Sequence, residues 1–62
     1  MTNIKVIRMK ANLSQTELAE KLAVTQGAIS QWETGESLPR AELLPKLAKI
    51  LGCSVDELLG GE

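Results

Sequence analysis

Two glutamines carry the clearest chemistry in this sequence. They stand in "AVTQGAISQWE", Ala23 to Glu33, a stretch without Lys or Arg. A glutamine amide holds a donor and an acceptor side by side. It can make two hydrogen bonds to the N6 and N7 edge of adenine in a major groove. If the chain is helical from Gln26, steps of about 100° per residue place Ile29 and Trp32 on one face. Gly27, Ser30, Gln31 and Thr34 fall on the opposite face, Gln26 points out along the axis, and Ala28 on the flank can touch a thymine methyl. Periodicity leaves two readings open: a solvated helix face, or an edge that reads bases.

Other chemistry is poorly supplied. The chain has no histidine, which removes the commonest general base and metal ligand. Cys53 stands alone, so neither an internal disulfide nor a cysteine metal cluster is expected, and no obvious base can activate it. An enzyme is therefore not expected, nor a cofactor, a metal or a small-molecule ligand. No apolar run approaches a membrane span, and "MTNIKVIRMK" lacks the apolar block of a signal peptide. A reducing, cytoplasmic location fits this composition best.

Net charge is −1 over 62 residues, low for a partner of a polyanion. The charges are unevenly spread. Lys5, Arg8, Lys10 and Lys21 outnumber Glu17 and Glu20 in the first half. In the second half, Arg40, Lys46 and Lys49 face six acidic residues. Such a bipolar chain offers a polyanion one side, although ordinary surface charge produces the same count.

The elements that must position the glutamines are short and helical. A first helix is expected over about Thr2–Ala11, with Ile4, Ile7 and Ala11 at helical spacing. Ser14-Gln15-Thr16-Glu17 is a capping box that opens a second helix, which turns Leu18, Ala19 and Leu22 inward. Thr25 is a suitable N-cap for the third helix, and Gly35 can end it in the left-handed conformation. Pro45 restricts the fourth helix to a start near Leu43 or Leu44, after a turn-like lead-in. That helix is expected to bury Leu44, Leu47, Ala48 and Leu51, and to stop at Gly52. Ser54 and Glu57 form a second capping box for a short fifth helix, with Gly60-Gly61 releasing the chain. Two helices joined by only Ala23 to Thr25 must cross steeply, as in a helix-turn-helix. Leu18, Ala19, Leu22, Val24, Ile29 and Trp32 are the expected packing residues at that crossing.

"LSQTELAEKLAVTQGAISQWETG" resembles the helix-turn-helix of the Cro/cI-type, or XRE, family. "LLPKLAKILGCSVDELL" resembles its last two helices, so the likeness covers almost the whole chain. It is similar to the small lambdoid phage repressor domains. The resemblance implies an all-α fold, a compact five-helix, lambda-repressor-like DNA-binding domain over residues 1–62, with the helix-turn-helix at about 14–34. It implies a transcriptional regulator, a repressor by type, that binds double-stranded DNA as a dimer on a palindromic operator with A·T-containing half-sites. By the same resemblance Gln26, Gly27, Ala28 and Gln31 face bases. Gln15, Thr25, Ser30, Thr34 and Arg40 meet the DNA backbone, and Val55, Leu58 and Leu59 form the dimer contact.

This chain departs from the family's pattern at several positions. Ala23 stands where glycine is usual, and Gly27 offers no side chain where relatives often read a base. Glu36 and Leu38 replace the lysines some relatives carry after the third helix, leaving Arg40. Glu57 stands where some relatives have a large apolar residue, which points to a dimer that is weak without DNA. The low net charge supports a second hypothesis, a protein-binding module such as an antitoxin-like partner with weak or lost DNA binding. A stoichiometric protein partner together with no salt-sensitive DNA binding distinguishes it from the first.

Overall fold

A computed structural model describes residues 2–60. Met1, Gly61 and Glu62 lie outside the described residues, and with them the release of the chain expected at Gly61. The described chain is all-α. Helix α1 spans Ile4–Lys10, α2 Gln15–Leu22 and α3 Gln26–Thr34. A single 3-10 turn, Ala41–Leu43, leads into α4, Leu44–Leu51, and α5 follows at Val55–Leu58.

Side-chain caps start three of these helices. Ser14 accepts from the Glu17 backbone N–H while the Glu17 carboxylate accepts from the Ser14 N–H at 2.8 Å. Ser54 and Glu57 repeat that reciprocal pair on α5, with 2.9 Å from the Ser54 N–H to the carboxylate. This gives Glu57 a backbone task where an apolar residue would leave an N–H unbonded. Thr25 accepts from the Ala28 N–H at 3.1 Å and opens α3.

Left-handed residues stop the helices, and the pattern repeats. Asn12, Ala23, Gly35 and Gly52 all have positive φ. After each, an N–H reaches back five residues: Leu13 to Arg8, Val24 to Ala19, Glu36 to Gln31 and Cys53 to Ala48. These bonds satisfy carbonyls that a helix end would leave open. Ala23, at φ 60°, holds this conformation with a Cβ, a strain of about 1 kcal/mol that glycine would avoid. The tight turn it makes joins α2 to α3 through three residues, Ala23 to Thr25.

Each helix supplies one fully buried residue to a common core: Ile4, Leu18, Ile29, Leu47 and Leu58. Trp32 and Leu22 pack around them, and Ala19 lies buried among them. The first helix is shorter than the expected Thr2–Ala11, and Ala11 is exposed because the chain turns there toward left-handed Asn12. Leu44 and Val24, expected inside, are half-buried. Leu44 opens α4 directly after the 3-10 turn, and Leu47, Ala48 and Leu51 set that helix's inward face.

Arg8 is the main surprise. It lies one turn after Ile4 on the same stripe and is buried. Its Nε donates to Glu33 Oε2 at 2.6 Å, and its second terminal nitrogen donates to Oε1 at 3.4 Å. The other terminal nitrogen donates to the Leu13 carbonyl at 2.7 Å. The Glu33 side chain is 4% exposed, so the pair is internal. Among the described residues no buried side-chain nitrogen or oxygen lacks a hydrogen-bond partner. The charge balance read from the sequence therefore overstates the surface, since Arg8 and Glu33 neutralise each other inside.

Two stability measurements check this arrangement. Truncating one partner of a buried pair strands the other charge and costs about 3–5 kcal/mol. Urea unfolding of Arg8→Ala or Glu33→Ala is expected to show that loss, most of the stability of a small domain. A loss below about 1 kcal/mol would place the pair at the surface. The second concerns acid. The Ser14 backbone N–H, then the Ser14 hydroxyl, hold Glu17 below its ordinary carboxyl pKa, and Ser54 does the same for Glu57. Their capping contribution is full above the unfolded glutamate value, about 4.3. It is lost as pH falls through the lowered folded values. Glu17→Gln and Glu57→Gln should flatten the acid limb of unfolding midpoint against pH; an unchanged limb would contradict this.

Candidate nucleic-acid interface

Helix α3 is held on its inner side by Ile29 and Trp32, and Thr2 Oγ1 donates to the Trp32 carbonyl at 3.2 Å. Its outer side presents Gln26, Gly27, Gln31 and Thr34, all exposed. Ala28 and Ser30 flank this edge and are half-buried, so Ser30 projects less than its place on the helical wheel suggests. The edge carries no formal charge, because the only acidic residue of α3 beside it, Glu33, is turned inward onto Arg8.

The structure joins Gln15 and Gln26, which are eleven positions apart, in one hydrogen-bonded chain. Gln26 Nε2 donates to Gln15 Oε1. Gln15 Nε2 donates in turn to Glu33 Oε1 at 2.8 Å. The N-terminus of α2 and the first turn of α3 are thereby tied to the buried ion pair.

A second grouping lies at the start of α3. Thr25 and Arg40 line one shallow cavity of about 360 Å³ with Ala23, Val24, Ala28, Trp32, Leu38 and Leu43. Arg40 is exposed, and Leu38 beside it is 65% exposed. Thr34 lies apart from this group. Its hydroxyl faces the Gln31 carbonyl at 3.2 Å and the Glu36 carboxylate at 3.1 Å, so its one proton has partners within the protein. Ser37 Oγ approaches Gln31 Oε1 at 3.5 Å, a weak contact that leaves the Gln31 amide available.

The expected dimer contact needs one correction. Leu58 is 0% exposed, because the single-turn helix α5 can only join the core by turning this side chain in. The Asn3 N–H fixes it there by donating to the Leu58 carbonyl at 2.9 Å. Leu59, 43% exposed, and half-buried Val55 are what that helix offers outward. Cys53 is half-buried, and burial pushes its thiol pKa up, opposite to what a nucleophile needs. Among the described residues no group of three potential metal ligands comes together, and no helix is long and apolar enough to cross a membrane.

The sequence pattern of the helix-turn-helix family matches residues 4–58. The chain belongs to that family. It is 42% identical over 59 residues to the HTH-type transcriptional activator BcrR of Enterococcus faecalis, covering 95% of this chain and 29% of that protein. It is equally identical, 42% over 59 residues, to repressor protein C2 of Salmonella phage P22, with 95% and 27% covered. It is 36% identical over 53 residues to the cryptic phage CTXphi transcriptional repressor RstR of Vibrio cholerae, with 86% and 47% covered. The chain thus spans less than half the length of these curated relatives. Among solved structures, the P22 c2 repressor in complex with a synthetic operator superposes with a TM-score of 0.87. That match has 42% identity and covers 95% of this chain and 89% of that one. The P22 c2 repressor thus shares the fold described above.

Arg8 and Glu33 are the residues behind this edge that composition hides. A signal was present. Arg8 follows Ile4 by four, and Glu33 follows Ile29 by four, so each opposite charge falls on an apolar stripe.

Gly27 is not required by packing. A Cβ added there would meet only Thr25 Oγ1, at 3.9 Å. Gly27→Ala should therefore raise stability by about 0.5–1 kcal/mol through helix propensity. Thermal unfolding checks this, and an unchanged or lower midpoint would mean that glycine has a packing role there.

Proposed function

We propose that this chain is the sequence-specific, double-stranded-DNA-binding part of a transcriptional regulator of repressor type. The observation that carries the reading is the exposed, uncharged glutamine edge of α3, held by the α2–α3 crossing and bonded back to the protein interior. The likeness to an operator-bound repressor supports it. Gln26 and Gln31 read base edges in the major groove, with Ala28 beside a thymine methyl and Gly27 leaving a gap. Gln15, Thr25, Ser30 and Arg40 meet the backbone, where helix N-termini add unbonded N–H groups. Thr34 joins them only by releasing Glu36.

Two copies, meeting through Leu59 and Val55, place two α3 helices in successive major grooves about 34 Å apart. Repression then follows from occupancy of the operator in the cytoplasm. Few cations reach phosphate, so the salt dependence is shallow beside that of strongly basic binders.

Variants separate base reading from backbone contact. Gln26→Ala and Gln31→Ala should each lose about 1–3 kcal/mol of binding and relax preference at single base pairs. Arg40→Ala should weaken all sequences alike and flatten the salt slope. Selection from random duplexes, followed by titrations at several salt concentrations, measures both. Unchanged affinity and preference in Gln26→Ala would show that this edge does not read DNA.

A further inference from the structure

We propose that the outward side of α1, with the cleft between α1 and the turn from α4 to α5, docks a second protein through a short amphipathic segment of apolar and acidic residues. This surface lies apart from the glutamine edge. Val6 and Met9 are 53% and 58% exposed, two of the four large apolar side chains that the described residues leave in solvent. They stand one turn apart on the side of α1 opposite Ile4 and Arg8, which turn to the core. Lys5 and Lys10, both exposed, flank them, and α1 carries no acidic residue.

One turn on from Val6, Lys10 enters the lining of a cleft of about 250 Å³ with Ile7, Leu51, Cys53 and Glu57. Ile7, Leu51 and Cys53 give the cleft an apolar floor. Lys10 and Glu57 stand on opposite walls, and no ion pair joins them among the described residues. The Glu57 carboxylate is occupied by the Ser54 N–H at 2.9 Å. An apolar cavity of about 150 Å³ holds a benzene-sized group, so this cleft has room for an aliphatic or aromatic side chain.

The chemistry of the surface selects the class of partner. A nucleic-acid backbone offers nothing apolar for Val6 and Met9 to meet. A seven-residue helix with two exposed apolar side chains buries too little to hold a lipid surface. A protein helix that lays an apolar stripe along Val6, Met9 and the cleft, with carboxylates against Lys5 and Lys10, satisfies both features. The opposite side of α1 meets α3 through Arg8 and Glu33, so a duplex on the glutamine edge leaves this surface open.

Two synthetic helical peptides test the proposal, one of leucine and glutamate and one with lysine in place of each glutamate. Backbone amide shifts of the isotope-labelled protein map the contact. Alkylation of Cys53, the one cysteine of the chain, reports occupancy of the cleft. The glutamate peptide should shift the amides of Val6, Ile7, Lys10 and Cys53 and slow alkylation, and the lysine peptide should do neither. Lys5→Glu with Lys10→Glu should weaken the glutamate peptide about 10-fold and let the lysine peptide bind. Val6→Ser with Met9→Ser should weaken the glutamate peptide by a similar factor. All four positions are exposed, so the unfolding midpoints of these variants should hold. Equal binding of the two peptides, shifts confined to α3, or no shift at all would overturn the proposal. So would phosphatidylglycerol vesicles that protect Cys53 as well as the glutamate peptide does, since a lipid surface would then be the occupant.

Discussion

An ion pair shut inside a small helical domain sets where its exposed edge points. Arg8 comes from α1 and Glu33 from the end of α3, and the Leu13 carbonyl, between α1 and α2, takes another of the arginine's protons. Charges taken out of water are costly unless every proton and lone pair finds a partner. That requirement fixes the relative placement of three helices more narrowly than apolar contact alone. Apolar packing is non-directional, and Ile4, Leu18 and Ile29 could fill the same volume with small rotations. The fork of a guanidinium on a carboxylate does not rotate so freely.

The same pair shapes the electrostatics of the interface. A glutamate near the end of α3 would put a negative charge beside the glutamine edge if it faced solvent. Turned inward, its charge is cancelled and one of its lone pairs still orders Gln15. The Gln26 end of the exposed edge is then uncharged, with its amide held, while the Glu36 carboxylate lies at the Thr34 end. Ordering such side chains beforehand removes part of the entropy that binding would otherwise cost. The low net charge of the chain is compatible with this design, because base readout needs donors and acceptors rather than cations.

Local signals made most of the fold legible in the sequence. Both capping boxes, the Thr25 cap, the stops at Gly35 and Gly52, and the late start of α4 at Pro45 involve residues within one turn of each other. Such chemistry does not wait for tertiary structure. Non-local placement was harder to read. Leu58 ends a single-turn helix too short for a periodicity and Leu59 caps it; core packing of Leu58, with the Asn3 N–H on its carbonyl, decides which of the two turns in. Arg8 counts as surface charge until its partner, 25 positions away, is known. The Gln15–Gln26 link is likewise a product of the helix crossing, which residue type and spacing along the chain do not encode.

The central claim is that the buried carboxylate orders the glutamine edge of α3 in the free protein. Side-chain amide NMR of the free protein tests it directly. The account predicts that Gln15 and Gln26 each show two well-separated Nε2 proton shifts, with one proton of each pair exchanging slowly with water. Amide pairs at both residues that shift and exchange like those of a free glutamine would contradict it.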